Sequence, residues 1–343
     1  MKLYIIGNGF DLHHGLPTSY GDYKRFLNKN YAGTVQDYED FVGIHNKKKE
    51  AWKDIENALK VDYRKVLSRY ADRPSTMDIV TELEQNKDQY SYIHNDLEDA
   101  MEGLTNFITN FTGLFLYRWL KSINVKQAVD DLSLSPDDIY VTFNYTNTLE
   151  KIYHIPDSHV YHIHGSLQKL KGLMKQVREY KEEYIAMEAR DYGEEEARDM
   201  WKYREGPWFF NLQFRQEIQF GAAIDRYKQL NTMEKWYAAD KEMSEYVDAP
   251  IRTLDRFMDR STKDIRKNFY PLFKFIDPFK EYINTVEIMG HSLASIDDPY
   301  YSEILIPIFE DFMWVFYAYK GNRKDIDAFI RKFRIKYYRV ISW

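Results

Sequence analysis

Apolar and polar positions follow two different rhythms along this chain, and the rhythm changes near residue 138. Leu3, Tyr4, Ile5 and Ile6 form an unbroken apolar run, the pattern of a strand covered on both faces in a parallel sheet. Pro17-Thr-Ser-Tyr-Gly-Asp22 then reads as a helix start, with Ser19 as the cap and Asp22 as the acidic partner of a capping box. Trp52, Ile55, Leu59, Tyr63, Val66 and Tyr70 recur at helical spacing. Met101, Leu104, Ile108, Phe111, Phe115 and Trp119 do the same, so two long amphipathic helices are predicted.

Past residue 138 strands and helices alternate. Residues 139–143 are rich in β-formers, and Asn147-Thr-Leu-Glu150 opens a short helix with Glu150 at capping-box spacing. Residues 159–163 read as the next strand. A densely charged stretch over 169–206 is predicted helical, with Gly206-Pro207 as its stop. A short strand over 218–220 follows, then a mixed helical segment, strands over 285–289 and 314–319, and a helix over 325–333. This alternation predicts an open α/β sheet, and such sheets bind ligands outside the carboxyl ends of their strands.

The length of 343 residues suits one large domain with an insert, or two intertwined domains. The balance of 48 basic and 54 acidic residues, net −6, lacks the basic run that tracks a phosphate backbone, so nucleic acid is not favoured as a partner. The absence of cysteine excludes disulfides, thiolate nucleophiles and cysteine-type zinc sites. No apolar stretch approaches the roughly 20 residues of a spanning helix, so no membrane partner is expected and a cytoplasmic location is.

Four strand ends carry candidate chemistry: Gly7-Asn8-Gly9, Thr142-Phe-Asn144, His162-Ile-His164-Gly165 and Gly290-His-Ser292-Leu293. In one sheet they would converge on one crevice, which is worth more than any one of them. The first is not the dinucleotide fingerprint, because Leu12 stands where the third glycine belongs. The last nearly matches a nucleophile elbow, but no histidine follows His291, so a hydrolase triad in that order is incomplete. His162 and His164 are expected to point apart and not to share a metal.

These residues resemble a known set. Gly7-Asn-Gly-Phe-Asp11, three residues, then Gly15-Leu-Pro17 is similar to the sirtuin pattern Gly-Ala-Gly-Ile-Ser, three residues, Gly-Ile-Pro. Thr142-Phe-Asn144, His164-Gly165 and Gly290-His-Ser-Leu293 resemble the sirtuin Thr-Gln-Asn, His-Gly and Gly-Thr-Ser-Leu, in the same order. Over nearly its whole length the chain resembles the AbiH family of bacterial abortive-infection proteins. Its members share the Gly-Asn-Gly-Phe-Asp-Leu opening, Gly-Leu-Pro-Thr-Ser-Tyr, a Trp-x-Asp-x-Glu-like helix (here Trp52-Lys-Asp-Ile-Glu56), Phe-Asn-Tyr-Thr, Ile-His-Gly and a late Gly-His-Ser-Leu.

The resemblance implies phage defence and a single sirtuin-like α/β domain over 1–343. Its Rossmann-type open parallel sheet would be built from about 1–30, 138–168, 216–225 and 283–343, with a helical insertion at about 35–135 and a charged helical insert at about 169–215. It also implies NAD as substrate or ligand, with no metal. Gly7, Asn8, Gly9, Phe10, Asp11, Thr142, Gly290 and Ser292 would bind the nucleotide, and Asn144 and His164 would act on it. Asn144 would position the water or the ribose hydroxyls, and His164 would accept a proton. Deacetylation does not follow, since a four-cysteine module is missing and Thr18-Ser-Tyr20 replaces the sirtuin Asp-Phe-Arg. A non-catalytic nucleotide sensor or interaction module is the alternative reading; a nuclease is disfavoured because no clustered acidic metal site stands out. A homo-oligomer and a phage-derived trigger are left open as partners, and the charged insert as a solvated helix pair, a lid or an oligomer contact.

Overall fold

The computed structural model describes residues 1–31, 33–43, 52, 54–60, 103, 105–129, 131–168, 170–220, 263–293, 295–319 and 321–343. The chain divides into two compact units. The first comprises Met1–Tyr23, Tyr117–Gln219 and Asp264–Trp343; the second comprises Lys24–Leu116 and Phe220–Lys263.

The first unit is built on a six-stranded sheet in the order β3-β2-β1-β4-β5-β6. Its strands are β1 (Lys2–Ile6), β2 (Ile139–Thr142), β3 (Val160–His162), β4 (Thr285–Met289), β5 (Met313–Ala318) and β6 (Tyr338–Ser342). Every neighbouring pair is parallel. The apolar runs are continuous because both faces are covered. On one face Leu3, Ile5, Val141, Val286, Ile288, Trp314 and Phe316 pack against Leu272, Ile276, Leu305, Phe309, Phe329 and Ile330 of the helical segments that follow the strands. On the other, Tyr4, Ile6, Tyr140 and Met289 pack with Phe10, Leu149 and Ile155. The order reverses between β1 and β4, which makes the carboxyl ends of those two strands the switch point where open α/β sheets receive ligands.

Several expectations need correction. Residues 218–220 are not a strand: Gln219 N donates to the His164 carbonyl (2.9 Å), but no ladder forms. Gly206-Pro207 does not stop the charged insert. Helices Leu170–Tyr192 and Glu194–Met200 lead through a π-turn, Trp201–Glu205, directly into a helix over Gly206–Glu217. Pro207 lies in the first turn of that helix, directly after the π-turn. Glu150 does not close a capping box on the helix Thr148–Ile152; its carboxylate goes to His162 instead (2.7 Å). The Ser19–Asp22 box does form, with Ser19 N donating to Asp22 Oδ2 (3.0 Å) and Asp22 N donating to Ser19 Oγ (3.1 Å).

The second unit is helical where it is described. Thr34–Gly43, Ile55–Ala58 and residues 105–112 contribute Tyr38, Val42, Ile55, Ile108 and Phe111 to its interior. Tyr38 and Phe111 stack with ring centroids 4.5 Å apart. Asp54 caps Ile55–Ala58 through Asn57 N (3.0 Å), and buried Glu56 pairs with buried Lys263 (3.3 Å). Most of the predicted helix running from Trp52 to Tyr70, and positions Met101 and Leu104 of the next, lie outside the described residues. Among the described residues no helix is long and apolar enough to cross a membrane.

Candidate functional site at the switch point

The candidate residues come from loops that leave four adjacent strands at the same end. Gly7 ends β1 and opens the one-and-a-half-turn helix Asn8–His13. The turn is pressed against the loop after β4: Gly7 N donates to the Met289 carbonyl (3.0 Å) and Gly9 N to the Gly290 carbonyl (2.7 Å). A Cβ on Gly7 would stand 2.4 Å from His291 Cα, and one on Gly9 2.7 Å from the Gly290 oxygen. Gly290 has φ of +64°, and a Cβ there would lie 2.1 Å from Phe10 N. These three glycines therefore let two backbones meet across the switch point, a close-approach role that only glycine permits. Asn8 and Ser292 are exposed beside that seam, and Asn8 Nδ2 donates to the Thr18 carbonyl (2.9 Å).

Asn144, just past β2, is held at nearly every polar atom. Its Nδ2 donates to the Gly7 carbonyl (3.2 Å), its backbone N to Thr142 Oγ1 (3.1 Å), and its carbonyl faces His162 Nδ1 (2.9 Å). The amide orientation is set by the chemistry, since a carbonyl can only accept. What is left over is Asn144 Oδ1, buried and with no hydrogen-bond partner among the described residues. An acceptor held in that state awaits a donor, because buried polar atoms are normally satisfied.

Phe10, Asp11 and Thr142 face inward. Phe10 is fully buried in the core, and Asp11 is 1 % exposed. Thr146 Oγ1 donates to Asp11 Oδ2 (2.5 Å) and Thr148 Oγ1 to Asp11 Oδ1 (2.8 Å), tying the first helix to the loop after β2. Burial pushes the Asp11 carboxyl up to about 6, against the hydrogen bonds from Thr146, Thr148 and Asn144 that favour its charged form. Thr142 and Asp11 thus both bear on Asn144.

The two histidines of the β3 end diverge. In an unbroken strand residues two apart share a face, but β3 ends at His162 and the chain turns at Ile163–His164. His162 lies between the Asn144 carbonyl and Glu150. His164 turns to the edge of the Phe143 ring, with centroids 5.2 Å apart at 89°. His291 approaches the same ring from the β4 loop, at 4.3 Å and 75°. Between the imidazoles stands Asp297, with Oδ1 3.7 Å from His164 Nε2 and Oδ2 3.5 Å from His291 Nε2.

Asp297 was not legible in advance. Nothing in the spacing of Ser295-Ile-Asp297-Asp-Pro points to His164, 133 positions earlier. The contact of His162 with the Asn144 carbonyl, and the bonds from Thr146 and Thr148 to Asp11, were equally silent. Among the described residues no cluster of three or more His, Asp or Glu side chains is arranged to hold a metal ion.

A family model described as bacteriophage abortive infection AbiH matches residues 3–318. That span begins in β1, ends in β5 and contains every residue placed at the switch point. No curated protein and no solved structure matches the chain.

Proposed function

The chain belongs to the bacteriophage abortive infection AbiH family, and from that premise we propose that it binds NAD at the switch point and hydrolyses its nicotinamide–ribose bond as an act of phage defence. The observation that carries this reading is the unpaired, buried Oδ1 of Asn144, held rigidly at the carboxyl end of β2. A fixed acceptor suits a ribose hydroxyl or a water molecule, both of which bring the donor it needs.

In this reading the pyrophosphate lies along the Gly9–Gly290 seam, where exposed Asn8 and Ser292 offer side-chain donors. Water bonds through its oxygen to ribose C1′. The C1′–N bond breaks with its electrons passing to the nicotinamide nitrogen, which leaves as a neutral ring. Its transition state resembles the oxocarbenium ion of glycoside hydrolysis. The water proton passes to His164, and ADP-ribose and nicotinamide are the products. Asn144 orients and His164 accepts, the division of labour that general base catalysis requires.

The test is release of free nicotinamide from NAD by the purified protein, alone and with phage components. Asn144→Ala and His164→Ala should each lower the rate by about 100-fold or more. Unchanged rates in both variants would refute the assigned roles. A wild-type protein that binds NAD yet releases no nicotinamide under any of these conditions would support a sensor in its place.

A further inference from the structure

Asp297 occupies the N-cap position of the short helix Asp298–Tyr300, yet its side chain makes no capping bond. Aspartate is among the preferred residues at such positions because it satisfies an orphan helical N–H. Here that local bond is forgone, and the buried carboxylate is turned toward His164 and His291. A carboxylate so far from water needs donors or positive charge around it. His291 has its Nδ1 occupied as acceptor of the Leu293 amide (2.9 Å), so the neutral ring carries its proton on Nε2, toward Asp297. Leu293 keeps this bond with a φ of +54°, a left-handed backbone that a leucine seldom adopts.

Phenols also lie at these rings. Tyr145 and Tyr300 lie beside His164, and Tyr301 lies beside His291. The adjacent carboxylate, Asp298, is paired with Lys332. The Phe143 ring makes near-perpendicular contacts with both imidazoles.

We propose that Asp297 is a positioning residue serving both histidines, so that His164, Asp297 and His291 act as one proton-holding unit. Deprotonated Asp297 stabilises the imidazolium that forms when His164 takes a proton, and His291 keeps the carboxylate oriented between turnovers. The catalytic half of this statement rests on the NAD-cleaving reading; the electrostatic half does not.

The experiment uses the full chain with selectively ¹⁵N-labelled histidine, as wild type, Asp297→Asn and Asp297→Glu. In the absence of NAD, the protonation midpoints of His164 and His291, assigned by single His→Gln variants, should both fall by about one pH unit or more in D297N and return toward wild type in D297E. Nicotinamide release is measured on the same samples. D297N should lower kcat by about 100-fold with KM changed less than threefold, and the acidic limb of the pH–rate profile should follow the imidazole midpoints. If D297N does not fold, Asp297→Ser takes its place as the charge-free variant and should lower both midpoints in the same way. Midpoints that stay in place for either histidine in the charge-free variant overturn the proposal. Shifted midpoints in a protein that releases no nicotinamide support the Asp297 unit and reject the NAD-cleaving reading instead.

Discussion

Asp11 offers a test of the packing behind the site that needs no ligand. Its carboxyl is buried between two threonine hydroxyls, and its pKa rises from 3.8 to about 6, chiefly through desolvation. Because the folded value is raised, folding favours the protonated form. The stability that this group leaves intact below pH 3.8 is lost as pH rises through about 6. The full loss is about 3 kcal/mol, from 1.36 kcal/mol per pH unit over about two units. Between pH 4.5 and 7.5 the two titration curves leave about 2 kcal/mol of it. Asp11→Asn keeps the shape and removes the charge, so the variant should gain about 2 kcal/mol relative to wild type across that interval. For a unit of roughly 200 residues, this corresponds to about 4–8 °C in relative melting temperature. Thermal melts of both proteins at pH 4.5, 6 and 7.5 measure the difference, and other titrating groups cancel unless they touch Asp11. Among the described residues, His162 couples to Asp11 in the direction that favours the carboxylate. A variant whose stability relative to wild type stays flat or falls as pH rises would refute the reasoning.

Three other outcomes follow from the same geometry. Gly290→Ala places a Cβ 2.1 Å from Phe10 N at a φ of +64°, so a loss above about 4 kcal/mol is expected, seen as insoluble or unfolded protein by circular dichroism. Gly165→Ala meets the Glu217 carbonyl at 1.9 Å with φ of +85°, and should likewise detach the charged insert's last helix from the β3 end, seen as new protease sensitivity near residue 217. In the second unit, Glu56→Gln removes a carboxylate paired with buried Lys263 and should lower stability by about 1–3 kcal/mol; Glu56→Asp should recover part of it in urea melts.

The legible part of the fold was the part that packs on both faces. β1, β2 and β5 carry apolar residues at consecutive positions, as burial on two sides favours, while the run of β4 is interrupted by Glu287, which pairs with Lys2. β6 escaped notice because it is an edge strand, mostly exposed, and its Tyr-Arg-Val-Ile-Ser carries no such run. Gly206-Pro207 misled because both residues are breakers in isolation. Gly206 is needed where the chain passes 2.6 Å from the Trp201 carbonyl at the position of a would-be Cβ, and Pro207 opens a helix. At the site, Asn144 and His164 were visible as polar residues at strand ends. The division of Gly7, Gly9 and Gly290 into a backbone seam was not, because the need for glycine at one of them is created by the other two.

By itself, then, the sequence determined a parallel α/β sheet, the loops at its carboxyl end and the family to which they belong. Those properties are local: hydrophobic period, cap chemistry and motif spacing are carried by residues near one another in the chain. Tertiary structure alone decided the strand order, the inward turn of Asp11, the leftover acceptor on Asn144 and the meeting of Asp297 with His164 and His291. Each of these depends on which groups share the low-dielectric space at the end of the sheet. Residues separated by well over a hundred positions compete there for the same hydrogen bonds, and no local pattern records which of them wins.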